Sequence, residues 1–386
     1  MVKLSTATHS RSKLMRLQGC VDGSLHGTIG RTLFVESTDD RGSFDRCGTL
    51  PPPTAFVTRY KQYLTRNDKF RTLVEHVVGN FSVATVHRIS RRKYIATTGR
   101  QLLVSRDGGK HWHRRGTLPE SSPPFGVLSP GIESVDGTVY VGEYPLSPDQ
   151  PPAVRVSEDD GETWKRIAIP GVRHVHCVKA DPYSGDIWVT TGDADDECWI
   201  GRLQDGSFEP VGGGSQRWRA VELAFTPSAI LWGMDCVYDE RNRVFRLDRE
   251  QLKSNAPNPE PDTVHETDGS VFYSASIERD GTRWIAFSTA AEPGNDSTAP
   301  DRPGRGSETV TVIVSSSESD FTDWQVLRRY DRRRVVGDYA PGDVVPKASA
   351  YVYLAADDER GLFVNPYNTA QSNGTVERIP IERLPK

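Results

Sequence analysis

Two stretches of this chain repeat each other, SRDGGKHW from Ser105 to Trp112 and SEDDGETW from Ser157 to Trp164. Both read S-x-D-x-G-x-x-W, and each follows a short apolar run, Leu102-Leu103-Val104 in the first and Val154-Arg155-Val156 in the second. The pattern is that of a β-hairpin turn. The Asp carboxylate accepts backbone N–H groups across the turn, the Gly takes a positive φ, and the Trp drops onto a neighbouring sheet. A turn repeated with its flanking strands implies a chain built from copies of one small β unit.

Weaker copies extend the series. Ser37 to Phe44 carries one extra residue before its Gly, Ser317 to Trp324 (SESDFTDW) keeps the outer Ser and Trp but loses Asp and Gly, and Leu203 to Phe208 is a shortened turn. The segments between turns align as well. Arg173 to Asp193 parallels Trp218 to Asp235, each an alternating strand, a Pro-containing turn and a second strand ending in Gly or Met and an acid, and Lys93 to Arg100 and Thr138 to Pro145 repeat that second strand. Runs of period two separated by Gly, Pro and Asp predict an all-β fold, and four-stranded units of about 40–50 residues predict a β-propeller. Units beginning near Cys20, Ser82, Phe125, Arg173, Trp218, Ser270 and Ala348 favour seven blades, with six possible if the first and last share strands. The whole of 1–386 reads as one propeller domain, with a helical insertion expected near 54–79 and a long Pro/Gly/Ser/Asp-rich loop near 292–308. These turns resemble the Asp box (BNR repeat), and the chain resembles the Asp-box β-propellers, a superfamily that includes the sialidases. The boxes themselves are expected to hold blades together away from any active site.

Composition narrows the function. Lys and Arg (48) nearly balance Asp and Glu (52), a net charge of −4 that argues against a nucleic-acid partner. No apolar stretch approaches the roughly 18 residues of a membrane-spanning helix. Eight Trp, 13 Tyr and 13 Phe supply large side chains for a core. The N-terminal segment lacks the apolar core of a secretory signal, and the five scattered cysteines form no C-x-x-C pair, so a cytoplasmic protein with reduced thiols is expected. Gly212-Gly213-Gly214 is not followed by Lys-Ser/Thr, and neither a nucleophile elbow nor a dinucleotide fingerprint is present, so no cofactor is assigned.

Blade register then gathers polar residues. In an up-and-down blade, second-strand ends and first-strand starts open on one face, opposite the turns that carry the boxes. Second-strand ends supply Arg100, Glu143-Tyr144, Asp193 and Asp235, and first-strand starts supply Arg173-His174 and Trp218-Arg219. A second register places His87, Glu133, His176 and Glu222 at one position of four successive innermost strands, where they are expected to ring a shared central opening. His174 and His176 are expected to point apart and not to chelate one ion without a bulge, so no metal is assigned.

This inventory suits an anionic glycan. Arg173 and Arg219 match a carboxylate in bidentate fashion, and His176 and His174, with Tyr144 as proton partner, can exchange protons near neutral pH. Glu143, Asp193 and Asp235 are candidate acids or sugar contacts, and Arg100, His87, Glu133, Glu222 and Trp218 are candidate substrate-binding residues. Sialidases carry an F/Y-R-I-P motif near the N-terminus, whereas here Arg378-Ile379-Pro380 lies near the other end. Polysaccharide lyases on propellers, with His, Tyr and Arg at their sites, resemble the RHVH segment more. The expectation is therefore an enzyme cleaving a glycosidic bond in a uronate- or sialate-containing glycan, by hydrolysis or elimination. The alternative is a non-catalytic propeller scaffold for a glycan or protein partner. Oligomeric state is left open.

Overall fold

The computed structural model describes residues 14–53, 74–75, 77–147, 149–239, 241–253, 259–293, 306–340, 345 and 347–385. It contains seven antiparallel sheets whose strands follow in sequence order, so each sheet is a meander and one blade is laid down after another. The innermost strands are β1 (Arg16–Val21), β5 (Thr85–Arg88), β9 (Ile132–Val135), β13 (His174–Ala180), β17 (Ala220–Phe225), β21 (Val271–Arg279) and β25 (Tyr351–Asp357). Six blades have four strands, and the seventh has three, β25, β26 (Gly361–Tyr367) and β27 (Glu377–Ile379). Seven blades stand where sequence register put them, apart from the third. Its first strand begins at Ile132, after a lead-in that starts near Phe125.

The first and last blades share no strand. Blade seven packs against blade one, where Leu17 N donates to Asn365 Oδ1 at 2.8 Å and Met15 N donates to the Gly374 carbonyl at 3.1 Å. Met15, Leu17, Phe34, Tyr353 and Phe363 pack into one buried cluster across that seam.

The repeated turns join third to fourth strands and carry the hydrogen bonds that their sequence implies. Between β7 (Gln101–Ser105) and β8 (His113–Thr117), His111 N donates to Asp107 Oδ1 and Gly109 N to Ser105 Oγ, both at 2.9 Å. Between β11 (Ala153–Ser157) and β12 (Lys165–Ala168), Thr163 N donates to Asp159 Oδ1 at 2.9 Å and Gly161 N to Ser157 Oγ at 2.8 Å. The Gly does more than turn the backbone. At Gly161 (φ +86°) an added Cβ would lie 2.8 Å from Ile95 Cδ1 and Val104 Cγ2 of the preceding blade, and at Gly109 (φ +82°) 2.4 Å from Leu33 Cδ2 of the blade before it. Trp112 and Trp164 pack into the same inter-blade seams. In the degenerate copy, Phe321 takes the glycine place at φ +59°, and Trp324 Nε1 donates to its carbonyl at 2.9 Å, as Trp164 Nε1 does to Gly161. The box is therefore a spacer that sets how closely one blade approaches the last.

Of the expected helical insertion near 54–79, residues 74–75 and 77–78 are helical and 54–73 lie outside the described residues, as do 294–305 of the expected loop near 292–308. One short helix, α1 (Arg249–Lys253), follows the third strand of blade five. Among the described residues, no helix is long and apolar enough to cross a membrane.

Replacing Gly161 by Ala should lower unfolding free energy by about 1–3 kcal/mol, because a Cβ must displace both Ile95 and Val104 at a backbone angle that disfavours it. Urea titration followed by tryptophan fluorescence measures this, and the matching change at Gly185, where a Cβ meets nothing within 4 Å, should cost less despite its φ of +76°.

Candidate functional site

Blades three, four and five send polar side chains to one place on the face where inner strands begin. β13 carries His174 and His176, with Arg173 just before it, and Asp193 follows β14 (Ile187–Gly192). Arg219 precedes β17, Asp235 follows β18 (Ala229–Met234), and Tyr144 follows β10 (Thr138–Gly142). Seven of the residues singled out from sequence thus come together.

Asp193 is the hub. Its Oδ1 lies 2.9 Å from Arg219 Nη2, 3.3 Å from His174 Nε2 and 3.6 Å from His176 Nε2, and its Oδ2 lies 3.2 Å from Arg173 Nη1. Arg219 Nε also donates to Asp235 Oδ2 at 3.2 Å, and Arg173 Nη2 lies 3.8 Å from Glu197. The Tyr144 ring stacks on His174 with centroids 4.0 Å apart, and the two imidazoles are 4.9 Å apart. His174 (2% exposed), His176 (1%) and Asp235 (4%) are withdrawn from solvent.

Burial sets the electrostatics. It would raise the Asp193 carboxyl, but the His174 and His176 rings and the Arg219 guanidinium outweigh it and hold that carboxyl far below the ordinary carboxylate range. Burial lowers His174 toward its neutral form, and it pushes the Tyr144 phenol up, with the Asp193 and Asp235 charges adding to the rise. Arg219 stays charged because Asp235 and Asp193 more than offset its desolvation.

The two histidines correct an expectation. They converge on one carboxylate oxygen, because alternate residues of a pleated strand share a face and the β13 ladder shifts register between Val175 and Cys177. The same shift removes His176 from the ring of inner-strand residues. His87, Glu133 and Glu222 do line one cavity of about 320 Å³, farther along the channel, but Lys179 joins them there, its Nζ 2.7 Å from Glu222 Oε1. His87 pairs with Ser134 Oγ at 2.8 Å, and Glu133 accepts the backbone N–H groups of Ser134 and Ala180.

Three other candidates lie elsewhere. Glu143 is fully buried, and its carboxylate binds Arg155 and Arg166 of its own blade, turning outward from the mouth. Trp218 is 5% exposed and stacks on Trp232 at 5.3 Å, so its face is taken by the core. Arg100 sits by Glu120 and the Leu118 carbonyl, lining a separate recess at the edge of blade two.

Sequence reasoning missed a second feature of this face. A recess of about 540 Å³ lies beside the ion cluster, walled by Phe81, Phe125, Phe272, Tyr273, Tyr351 and Tyr353, with Arg16 inside it. Phe125 bridges the two, its ring 6.5 Å from that of Tyr144. A signal was present: an aromatic recurs at or just before the first strand of blades two, three, six and seven.

The fold and this mouth define a seven-bladed β-propeller with an internally paired polar cluster beside an aromatic recess. No protein-family model and no curated protein sequence matches the chain. Among solved structures it is similar to YCF48 from Cyanidioschyzon merolae, at 13% identity over 97% of each chain with a TM-score of 0.52. It is similar, more distantly, to the Cps50 (Swd1) β-propeller domain of Myceliophteria thermophila, at 10% identity over 95% and 97% of the two chains (TM-score 0.48). A structure of YCF48 bound to D1 peptide matches at 10% identity over 92% and 88% (TM-score 0.45). These likenesses speak to fold.

Arg219→Met should cost about 3–5 kcal/mol in unfolding free energy, since it leaves Asp193 and Asp235 buried beside each other with one fewer guanidinium; chemical denaturation against the wild-type protein measures it. A pH dependence follows from the channel. Burial holds His26 down to about 3 and His87 to about 4, against an ordinary value near 6.5. Below pH 6.5 the unfolded state takes up protons that these folded rings refuse, so stability is fullest above that pH and falls as the solution is acidified. His26 alone contributes roughly 1.4 kcal/mol per pH unit down to its folded value. Unfolding titrations between pH 7 and 5 should show that slope, reduced by the share of one group in His26→Phe.

Proposed function

We propose that this propeller is a non-catalytic binding scaffold, docking a peptide or protein segment at the aromatic recess on the face where its inner strands begin. One observation carries this. Arg16 lines the recess at 5% exposure, and among the described residues no carboxylate lies within ion-pair distance of it. Among the described residues its guanidinium is held by neutral groups, the Ser82 hydroxyl, the Ala84 carbonyl at 2.9 Å and the Ser129 hydroxyl at 2.6 Å, and it lies 4.8 Å from the centre of the Tyr353 ring. A buried charge without a counter-charge costs several kcal/mol, and an incoming carboxylate would relieve it. The surrounding Phe and Tyr rings favour an apolar or aromatic side chain next to that acid, the arrangement of an interface hot spot. A docking segment of this chemistry, an acidic residue or a free α-carboxylate flanked by an apolar anchor, fits the recess better than a sugar does.

Glycosidic cleavage draws on the ion cluster, and there the pairing works against it. Arg173 and Arg219, the intended carboxylate binders, already serve Asp193, Asp235 and Glu197, and His174 and His176 lie beneath the surface. A substrate would have to break those pairs before gaining anything from them.

The test is a panel of fluorescent peptides pairing Phe, Leu or Tyr with Asp, Glu or a free C-terminus, read by anisotropy. Peptides with both features should bind, their neutral counterparts should bind at least about 10-fold more weakly, and Arg16→Gln and Phe272→Ala should each lose a similar factor. Equal binding of acidic and neutral peptides, or no binding by any, would remove the recess from the function. Uronate-containing and sialylated glycans belong in the same experiment. Appearance of reducing ends, or of unsaturated products by ultraviolet absorbance, would overturn the scaffold in favour of catalysis.

A further inference from the structure

We propose that His174, His176 and Asp193 form a binding site for a divalent transition-metal cation of the zinc type. Each imidazole points its Nδ1 at a backbone carbonyl, His174 at Pro145 (3.3 Å) and His176 at Ala220 (3.2 Å). A carbonyl only accepts, so each ring can hold an Nδ1 proton on its carbonyl and offer Nε2 to an ion. Those two nitrogens converge on Asp193 Oδ1 at 3.3 and 3.6 Å, and the donor atoms of the three residues lie within 4.8 Å of one another. His174 Nε2 is buried and makes no hydrogen bond.

Protons on these two nitrogens can join them to Asp193 Oδ1, and a cation in the same place would exchange for those protons and be held by the same three atoms in a site shielded from water. The spacing suits the ion. Tetrahedral zinc with bonds of about 2.0–2.1 Å holds neighbouring ligand atoms about 3.3–3.4 Å apart, close to the two separations from Asp193. Imidazole with carboxylate is a donor set for zinc and its first-row neighbours, and not for calcium or magnesium, which favour oxygen alone. The charge around the site is permissive. Asp193, Asp235 and Glu197 contact the guanidiniums of Arg173 and Arg219, so three carboxylates face two guanidiniums. The carbonyl contacts on both Nδ1 atoms are the outer support that ligating histidines commonly have. Such an ion would clasp the start of β13 to the end of β14, where the ladder between them is interrupted.

The test uses the full-length protein, stripped with chelator and then dialysed against a small excess of zinc chloride. One equivalent of zinc should be retained at this site, and X-ray absorption of the loaded protein should show two imidazoles at about 2.0 Å. His174→Gln and His176→Gln, checked for native circular dichroism, should each weaken zinc binding on the order of 100-fold. A folded wild-type protein that keeps no zinc would overturn the proposal. So would a zinc shell without imidazole, or Gln variants that bind as the wild type does, in which case protons rather than a metal join the two rings to Asp193. Should either variant fail to fold, the absorption spectrum of the wild-type protein decides alone.

Discussion

Everything in this molecule depends on how near one blade can come to the next. A four-stranded sheet with both faces apolar must cover each of them, and here the cover is another copy of the same sheet, so the distance between copies fixes the ring. At Gly109 and Gly161 that distance leaves no room for a β-carbon, and the box tryptophans fill the seam beside each glycine. The Asp and Ser of each box hold the turn in the shape that presents the glycine edge-on. A motif that looks like a surface ornament is thus the gauge for the first two seams, which is why two good copies announced the architecture so clearly.

Ring geometry then explains why the face above the channel is chemically divided. Blades four and five bring in Asp193, Arg219, Asp235 and the two histidines, which settle their charges among themselves. Blades two, three, six and seven bring aromatic rings around an arginine of blade one that has only neutral partners among the described residues. Two sectors of one mouth therefore differ in what they still lack. The ion cluster has its charges paired and its donor atoms aimed at one another, whereas the recess holds an arginine without a counter-charge among the described residues and has space for one. The same division separates the two proposals made from it, since each concerns a different sector.

Blade number, strand order and the place of the boxes were legible because they depend on period-two alternation and on turn chemistry, both local. Convergence of Tyr144, His174, Asp193, Arg219 and Asp235 was legible because blade register alone puts strand ends of one kind on one face. Legibility stopped at the register shift in β13. An extra residue in a ladder has no signature in HVHCVKA, yet it moves His176 out of the inner ring and leaves Lys179 to face Glu222. Side-chain pairing was the second barrier. Glu143 stands beside Tyr144 in sequence, but Arg155 and Arg166 from the neighbouring strands pull it the other way, and nothing at position 143 foretells those partners. Trp218 was lost to the core for a similar reason, its partner Trp232 lying on β18 of the same blade. The aromatic recess could have been found by asking which residue types recur ahead of each first strand.

The seam between blades one and seven has a temporal consequence. Most neighbours in the ring are consecutive in sequence and can dock as soon as the second of the pair exists. Leu17 and Asn365 are 348 positions apart, and the former offers its amide to a side chain that is synthesised long afterwards. Until then the Leu17 amide lacks this acceptor, and the growing ring is an open arc with a waiting end. The ring can therefore close only once blade seven has been made, and a single asparagine amide helps to fasten it.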